Sequence, residues 1–476
     1  MADCCSTDGS RKDGYDLAVI GAGSAGFSAA ITAAEQGANV VLIGHGLIGG
    51  TCVNVGCVPS KTMIRAAEAL HGARAASRFP GLAGEAHVAD WRVLIAAKDD
   101  LVGTLRQKKY IDLLSEYDGI AYLEGAARLN GAGVLVNDSP VAAGNIIVAT
   151  GASQAVPGIP GIENVPYLTS TTALETNQQP RSLLVIGGGY IGCELAQMFA
   201  RTGTAVTLVT RSRLLPEAEP EIAQALARYL AKEGITVRAG LTYSRIEQQN
   251  GETTLTIDVD GRAETLTAER VLVTTGRTPN TADLGLNESG VKRASGGGII
   301  VDDRMRTSKS GVYAAGDVTG RDQFVYMAAY GAKLAAHNAL NGDSFVYDNT
   351  AMPWVVFTDP QVAGVGLSER QARQRGFDVK TSVALLDQVP RALAARDTRG
   401  LIKLVADAET DRLHGAQILA PEGADSIQTA VLAIKHGMTA KALGETIFPY
   451  LTTVEGLKLA AQGFGKDVAK LSCCAG

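Results

Sequence analysis

The chain contains no apolar run of about 18 residues, so nothing in it reads as a membrane span. It also lacks a surplus of basic residues: 44 Lys and Arg stand against 49 Asp and Glu, for a net charge of −5. That balance leaves no cationic footprint for nucleic acid. The opening MADCCSTDGSRKDGYD has no basic stretch followed by an apolar one, so no secretory signal is expected and a cytoplasmic location follows. Low-complexity segments and solenoid repeats are missing as well. Cysteine is scarce, at seven in 476 residues. In a reducing cytoplasm such cysteines, where paired, are more often catalytic or metal-binding than structural.

Glycine, by contrast, is plentiful at 55 residues, which favours tight turns and close backbone approach to ligands. The length exceeds one core and predicts two to four domains. One pattern occurs twice. Asp16 to Ile20 reads as a strand, followed by Gly21-Ala-Gly23-Ser-Ala-Gly26, a helix over 27–36 ended by Gly37, and a strand over 38–43. The second copy runs from the strand Leu183 to Ile186 through Gly187-Gly-Gly189-Tyr-Ile-Gly192. A helix over 193–202 and a strand over 205–210 complete it. Between the copies lie a helical stretch over 91–116 and strands leading to Thr150-Gly151. Strand and turn patterning returns over 271–318, and an α+β segment begins near Met352.

In each loop the first glycine permits the turn, the second lets a pyrophosphate approach, and the third lets helix and strand pack. The helix N-terminus adds partial positive charge. Two such loops, each between strand and helix, predict two dinucleotide sites in an α/β chain with two Rossmann-like domains. Beyond the second loop, Thr210 stands where an acid would bond a free ribose 2′-OH, and Arg211 and Arg213 follow. Arginine there suits a 2′-phosphate and favours NADPH over NADH. Beyond the first loop the expected acid is missing, since Ile43 is followed by Gly44-His45-Gly46.

Shortly after the first loop, Gly49 to Lys61 reads Gly-Gly-Thr-Cys-Val-Asn-Val-Gly-Cys-Val-Pro-Ser-Lys, with Cys52 and Cys57 as a pair. A short helix after Cys52 is expected to turn its positive end toward both thiols and favour the thiolates. Cys473 and Cys474 form a second pair at the other end of the chain. Adjacent cysteines make only a strained, easily reduced disulfide, and as soft thiolates they suit a soft thiophilic cation. Cys4 and Cys5 stay unassigned, and Cys193 reads as a small buried residue.

With these motifs the chain resembles the flavoprotein disulfide reductases, over nearly its whole length. The resemblance implies a bound FAD, a nicotinamide dinucleotide and a C-terminal α+β dimerisation domain. It divides the chain into a first FAD segment over 1–154, an NADPH domain over 155–277, a second FAD segment over 278–348 and an interface domain over 349–476. Thr275-Gly276-Arg-Thr-Pro-Asn280 and Ala315-Gly-Asp317 look like the family's crossover and flavin motifs, with Asp317 on the ribityl chain. By the same likeness Gly46, Gly50, Thr51, Lys61, Ala127, Gly151 and Val325 line the flavin site. Cys57 then faces the flavin, Cys52 is the outer exchanging thiol, Lys61 pairs with Glu194, and Tyr190 covers the flavin until nicotinamide displaces it.

Within that family the likeness is to the mercuric reductases. It rests on the ending Leu471-Ser-Cys473-Cys474-Ala-Gly476, the segment Phe448-Pro-Tyr450-Leu-Thr-Thr-Val-Glu455, and Tyr110 in Lys-Lys-Tyr-Ile. Relatives that reduce disulfides carry a His at the position of Tyr450, backed by the residue matching Glu455. That His protonates a leaving thiolate, for which a phenol of pKa near 10 is a poor substitute. The likeness implies a homodimer in which Hg(II), delivered as a complex with small-molecule thiols, passes from Cys473 and Cys474 to Cys52 and Cys57. Tyr110 and Tyr450 would steer the metal, and no detachable N-terminal metal-binding domain is expected. Two rivals remain at this point: a reductase of small disulfides, and a thiol-rich protein that sequesters metal without turnover.

Overall fold

A computed structural model describes residues 14–131, 133–467 and 470; Cys4, Cys5, Cys473 and Cys474 lie outside the described residues. The chain divides into two compact units. The first comprises Met1–Pro59, Ala97–Ala155 and Arg277–Asp348, the second Ser60–Ala96, Val156–Gly276 and Asn349–Gly476.

The first unit is built on a five-stranded parallel sheet. Its strands run in the order Val312–Ala314, Ala143–Val148, Tyr15–Ile20, Val40–Gly44, Ile120–Glu124. Leu17, Ala18 and Val19, with Val40, Val41 and Leu42, are fully buried. Such unbroken apolar runs mark strands covered on both faces. The helices Ser24–Ala34 and Val325–Asn341 lie against each other along alanines, among them Ala29, Ala33, Ala332 and Ala335, all fully buried. Small side chains let these backbones approach closely, and Ser28 Oγ donates to Ala329 O across the join (3.0 Å). The glycine loop is thereby held rigidly at the carboxyl end of the central strand, where α/β sheets bind ligands.

The second unit contains a four-stranded parallel sheet in the order Thr236–Ala239, Ala205–Thr210, Ser182–Ile186, Arg270–Val273. A three-stranded antiparallel sheet, Thr242–Gln249, Glu252–Val259 and Arg262–Ala268, accompanies it. The α+β segment forms a five-stranded antiparallel sheet running Pro353–Val356, Gln361–Gly366, Leu413–Ala420, Leu401–Asp407, Val379–Leu385. Ion pairs centred on the buried cations Lys403 and Arg201 link the parallel and antiparallel parts of this unit. Lys403 reaches Glu219 (3.0 Å), Glu221 (3.0 Å) and Glu369 (2.9 Å). Arg201 reaches Glu233 (2.7 Å) and Asp359 (2.9 Å).

The helical stretch expected over 91–116 is not one regular helix. It runs as an α-helix over Trp91–Arg106, a π-helical turn over Gln107–Ile111 and a final turn over Asp112–Leu114. Among the described residues, no helix is long and apolar enough to cross a membrane.

Candidate active site

The two glycine loops share one geometry. A Cβ on Gly21 (φ +120°) would strike Ala149 O, and one on Gly26 would strike Gly21 O. In the second loop Gly187 (φ +119°) would meet Thr274 O and Gly192 would meet Gly187 O. These four positions are closed by the protein's own backbone. The middle glycines are not: a Cβ on Gly23 meets nothing nearer than Gly50 Cα at 3.5 Å, and one on Gly189 meets nothing within 4 Å. Open space before the middle glycine is what an approaching pyrophosphate requires. Gly23 and Gly189 are also the N-caps of Ser24–Ala34 and Tyr190–Thr202, and neither helix has a side-chain cap. Their N-terminal ends carry the partial positive charge that suits an anion. Both loops therefore fit a dinucleotide.

Gly26→Ala should cost roughly 3 kcal/mol or more, since the backbone atom it meets cannot rotate aside as a side chain could. A lower urea midpoint and a protein purified without bound flavin are the expected results.

Around the first loop, the glycines at 46, 50 and 151 all have positive φ, and Gly50 packs its Cα against Gly23. Ala127 opens the strand Ala127–Leu129 and Val325 the helix Val325–Asn341. Asp317 begins a short 3₁₀ turn after Gly316 (φ +78°). Burial pushes its carboxyl pKa up, opposed by the positive charge of Arg277. The Nε of Arg277 stands 3.5 Å from Asp317 Oδ2. Its Nη2 bonds Ala152 O and lies 3.5 Å from Thr51 Oγ1.

Cys52 and Cys57 are present as thiols, each half-buried. Their setting corrects the expectation about the helix. Cys52 lies inside a single turn, Gly50–Asn54, whereas Cys57 is the first residue of the 18-residue helix Cys57–Arg74. The positive end of a helix acts within its first turn, so the substantial dipole bears on Cys57 rather than following Cys52. Asn54 Nδ2 closes the short turn on Gly50 O (2.9 Å) and ties it to Ile48 O (2.8 Å), and from outside Arg106 Nη1 donates to Asn54 Oδ1 (3.2 Å).

Tyr110 sits on the π-helical turn. Its hydroxyl is 3.2 Å from Ser24 Oγ in the glycine loop, and its ring meets Phe27 edge-on at 4.9 Å. Burial raises the phenol pKa, and negative charge on Cys52 and Cys57 acts in the same direction. The phenol thus lies within electrostatic reach of both thiols.

In the second unit, Lys61 Nζ donates to Glu194 Oε2 (2.7 Å) and stands 4.9 Å from the ring centre of Phe357. Glu194 Oε1 accepts from the Phe357 amide (2.9 Å), so both carboxylate oxygens are engaged. The ring of Tyr190 stacks on Trp354 at 5.7 Å, and burial raises its pKa. Arg211 is exposed, but Arg213 donates to Pro216 O (2.7 Å) and Ala218 O (2.6 Å). Gly276 has φ +116° with open space beside it. Cys193 is fully buried, with its Sγ 3.6 Å from Gly188 O. Tyr450 is 48% exposed, and the buried Glu455 accepts from the Leu451 amide (3.2 Å).

Residues 15–336 match the pyridine nucleotide-disulphide oxidoreductase family, and residues 352–461 match that family's dimerisation domain. The chain belongs to the pyridine nucleotide-disulphide oxidoreductases. A Staphylococcus aureus mercuric reductase is 47% identical over 99% of this chain and 86% of its own. A mercuric reductase of Streptomyces lividans is 47% identical over 97% of this chain and 99% of its own. Among solved structures, the Cu(II) complex of the HOCl-induced flavoprotein disulfide reductase RclA of Escherichia coli superposes with a TM-score of 0.84. It is 29% identical, covering 96% of this chain and 100% of that one.

Membership makes this chain an oxidoreductase working with a flavin and a pyridine nucleotide, and gives it a dimerisation domain. One residue of this oxidoreductase escaped the sequence. Arg277 stands in the Thr275–Asn280 motif, but nothing in its spacing signals that its guanidinium faces Asp317 and Thr51 together. Its signal would have been a lone arginine between a positive-φ glycine and Thr-Pro, beside an expected anion. The second arginine of the NADPH reading, Arg213, is in turn largely committed to neighbouring carbonyls.

Proposed function

We propose that this oxidoreductase reduces thiol-bound Hg(II) to Hg(0) at the expense of NADPH, through FAD and the Cys52–Cys57 pair, and so detoxifies mercury in the cytoplasm. The observation that carries the reading is the pairing of two thiols, one at a helix N-terminus, with the half-buried phenol of Tyr110 within their electrostatic reach. Relatives at 41–47% identity that bear the name mercuric reductase support it.

Bound FAD would accept a hydride from NADPH and supply the two electrons that Hg(II) takes up. The chain's own residues bind and orient. Cys473 and Cys474 capture the ion from a small-molecule thiol and hand it to Cys52 and Cys57 by successive thiolate exchange, each Hg–S bond replacing another. Two soft thiolates suit this ion, and the helix start favours the charged form of Cys57. Once reduced, the neutral atom is held weakly by thiolates and leaves. Tyr110 and Tyr450 steer the ion through their hydroxyls. Arg211 holds the 2′-phosphate of NADPH, Tyr190 moves aside for nicotinamide, and Lys61 with Glu194 biases the flavin toward hydride acceptance. The four chain segments set out above belong to the same proposal, as does the homodimer in which the tail serves the partner's thiols.

At 450 a phenol replaces the shuttle that disulfide cleavage needs, and Glu455 holds a backbone amide. NADPH oxidation should therefore be rapid with Hg(II) in excess thiol and negligible with oxidised glutathione or lipoamide; the reverse pattern would defeat the proposal. Replacing both Cys473 and Cys474 with alanine is expected to remove most turnover with thiol-bound mercury while NADPH still bleaches the flavin. Unchanged release of mercury vapour would refute the relay.

A further inference from the structure

The carboxyl end of the second strand in the first unit is where a dinucleotide fold carries an acid for the adenosine ribose, about 20 residues after the glycine loop. In this chain the position is Gly44, whose strand pairs in register with its neighbour as Leu42↔Tyr122 and Gly44↔Glu124. Leu42 and Gly44 share one face, two residues apart. That face is the loop side: Leu42 Cδ1 comes 3.4 Å from where a Cβ of Gly26 would stand. A Cβ on Gly44 would lie 2.9 Å from Ala22 Cβ, within the glycine loop itself. The space is not empty. Tyr122, reaching over from the neighbouring strand, puts its Cε2 at 2.9 Å from that Cβ position and its hydroxyl nearer still.

By bond lengths, an aspartate's carboxylate oxygens lie about 2.4 Å from its own Cβ. The Tyr122 hydroxyl stands at the same reach, beside Ala22, where the oxygen of an acid at 44 would be. Among the described residues that hydroxyl has no hydrogen-bond partner, so it is uncommitted. Glu124 at the strand end is exposed and His45 points to solvent.

We propose that Tyr122 replaces the missing acid and hydrogen-bonds the adenosine 2′-hydroxyl of the dinucleotide on the first glycine loop. The inference rests on the reading that this loop takes FAD. A phenol both donates and accepts, so it can serve a ribose hydroxyl as an acid does, without a negative charge beside the pyrophosphate. Burial and the charge of Glu124 both raise the phenol's pKa and keep it neutral. Gly44 is then required to make room: any side chain there would collide with the ring.

Apo-protein titrated with FAD, followed by flavin fluorescence, tests this directly. Tyr122→Phe should weaken FAD binding about five- to tenfold, the loss of one neutral hydrogen bond, with no change in apo-protein melting. An FAD analogue lacking the adenosine 2′-hydroxyl should bind the native protein more weakly by the same factor, and Tyr122→Phe no more weakly than FAD does. Tyr122→Ala should weaken FAD binding at least as much as Tyr122→Phe. Native affinity in Tyr122→Phe, or equal loss of the analogue by both proteins, would each overturn the assignment. If the native protein takes up no FAD at all, the cofactor reading itself has failed, and the analogue comparison separates that case.

Discussion

Replacing Cys57 with serine is expected to lower turnover of thiol-bound Hg(II) by about 10³-fold or more, with flavin still bound and still bleached by NADPH. The hydroxyl of serine does not ionise at neutral pH, so the helix start at 57 would face a neutral oxygen instead of a thiolate. A hard oxygen is also a poor ligand for a soft ion, and the remaining thiol, Cys52, would bind mercury without completing a two-thiolate site. Cys52→Ser should be as inactive. Because both side chains are half-buried and nearly isosteric with serine, stability should change by less than ~1 kcal/mol. The check is mercury-vapour release together with anaerobic flavin bleaching. Substantial vapour release by either variant would remove the pair from the mechanism.

Lys61 and Glu194 should separate stability from electron transfer. The carboxylate side chain is only 5% exposed, whereas that of the lysine is 34% exposed. Lys61→Met leaves a buried charge with a single backbone donor, Phe357, at a cost of ~2–3 kcal/mol once the exposure of the lysine is discounted. Glu194→Gln keeps an acceptor for that amide and leaves a lysine that water can solvate, so it costs about 1 kcal/mol. Combining the two should recover most of the stability lost by Lys61→Met, since no buried charge remains. Flavin reduction by NADPH should nevertheless be slowed in all three variants, by roughly 10²-fold, because the fixed charge pair is lost in each. Urea unfolding and stopped-flow bleaching give the two readouts. Recovery of the bleaching rate in the double variant would show that the pair only supports the fold.

Much of this was legible in sequence because backbone demands leave few choices. At Gly21, Gly26, Gly187 and Gly192 a Cβ has nowhere to go, and at Gly23 and Gly189 the space belongs to a ligand, so spacing alone marks both loops. The spacing of Cys52 and Cys57 was equally visible. Which of them gains the helix dipole was not, since that depends on where the long helix begins, and Val-Pro-Ser after Cys57 does not announce an 18-residue helix. Arg277 and Tyr122 were out of reach for a different reason. Their partners, Asp317 and Gly44, are brought near by strand order, and no local pattern encodes which strand lies beside which. Cys473 and Cys474 stand as named from the sequence, outside the described residues.

The wide turn over Gln107–Ile111 sets the azimuth of Tyr110. An i→i+5 closure takes in one residue more than regular winding, and each residue of an α-helix turns the chain by about 100°. Deleting one position there would return the stretch to ordinary pitch and shift the phenol relative to Ser24. Homologous chains that differ in length by one residue across this stretch would then carry a tyrosine aimed elsewhere, whatever their alignment suggests.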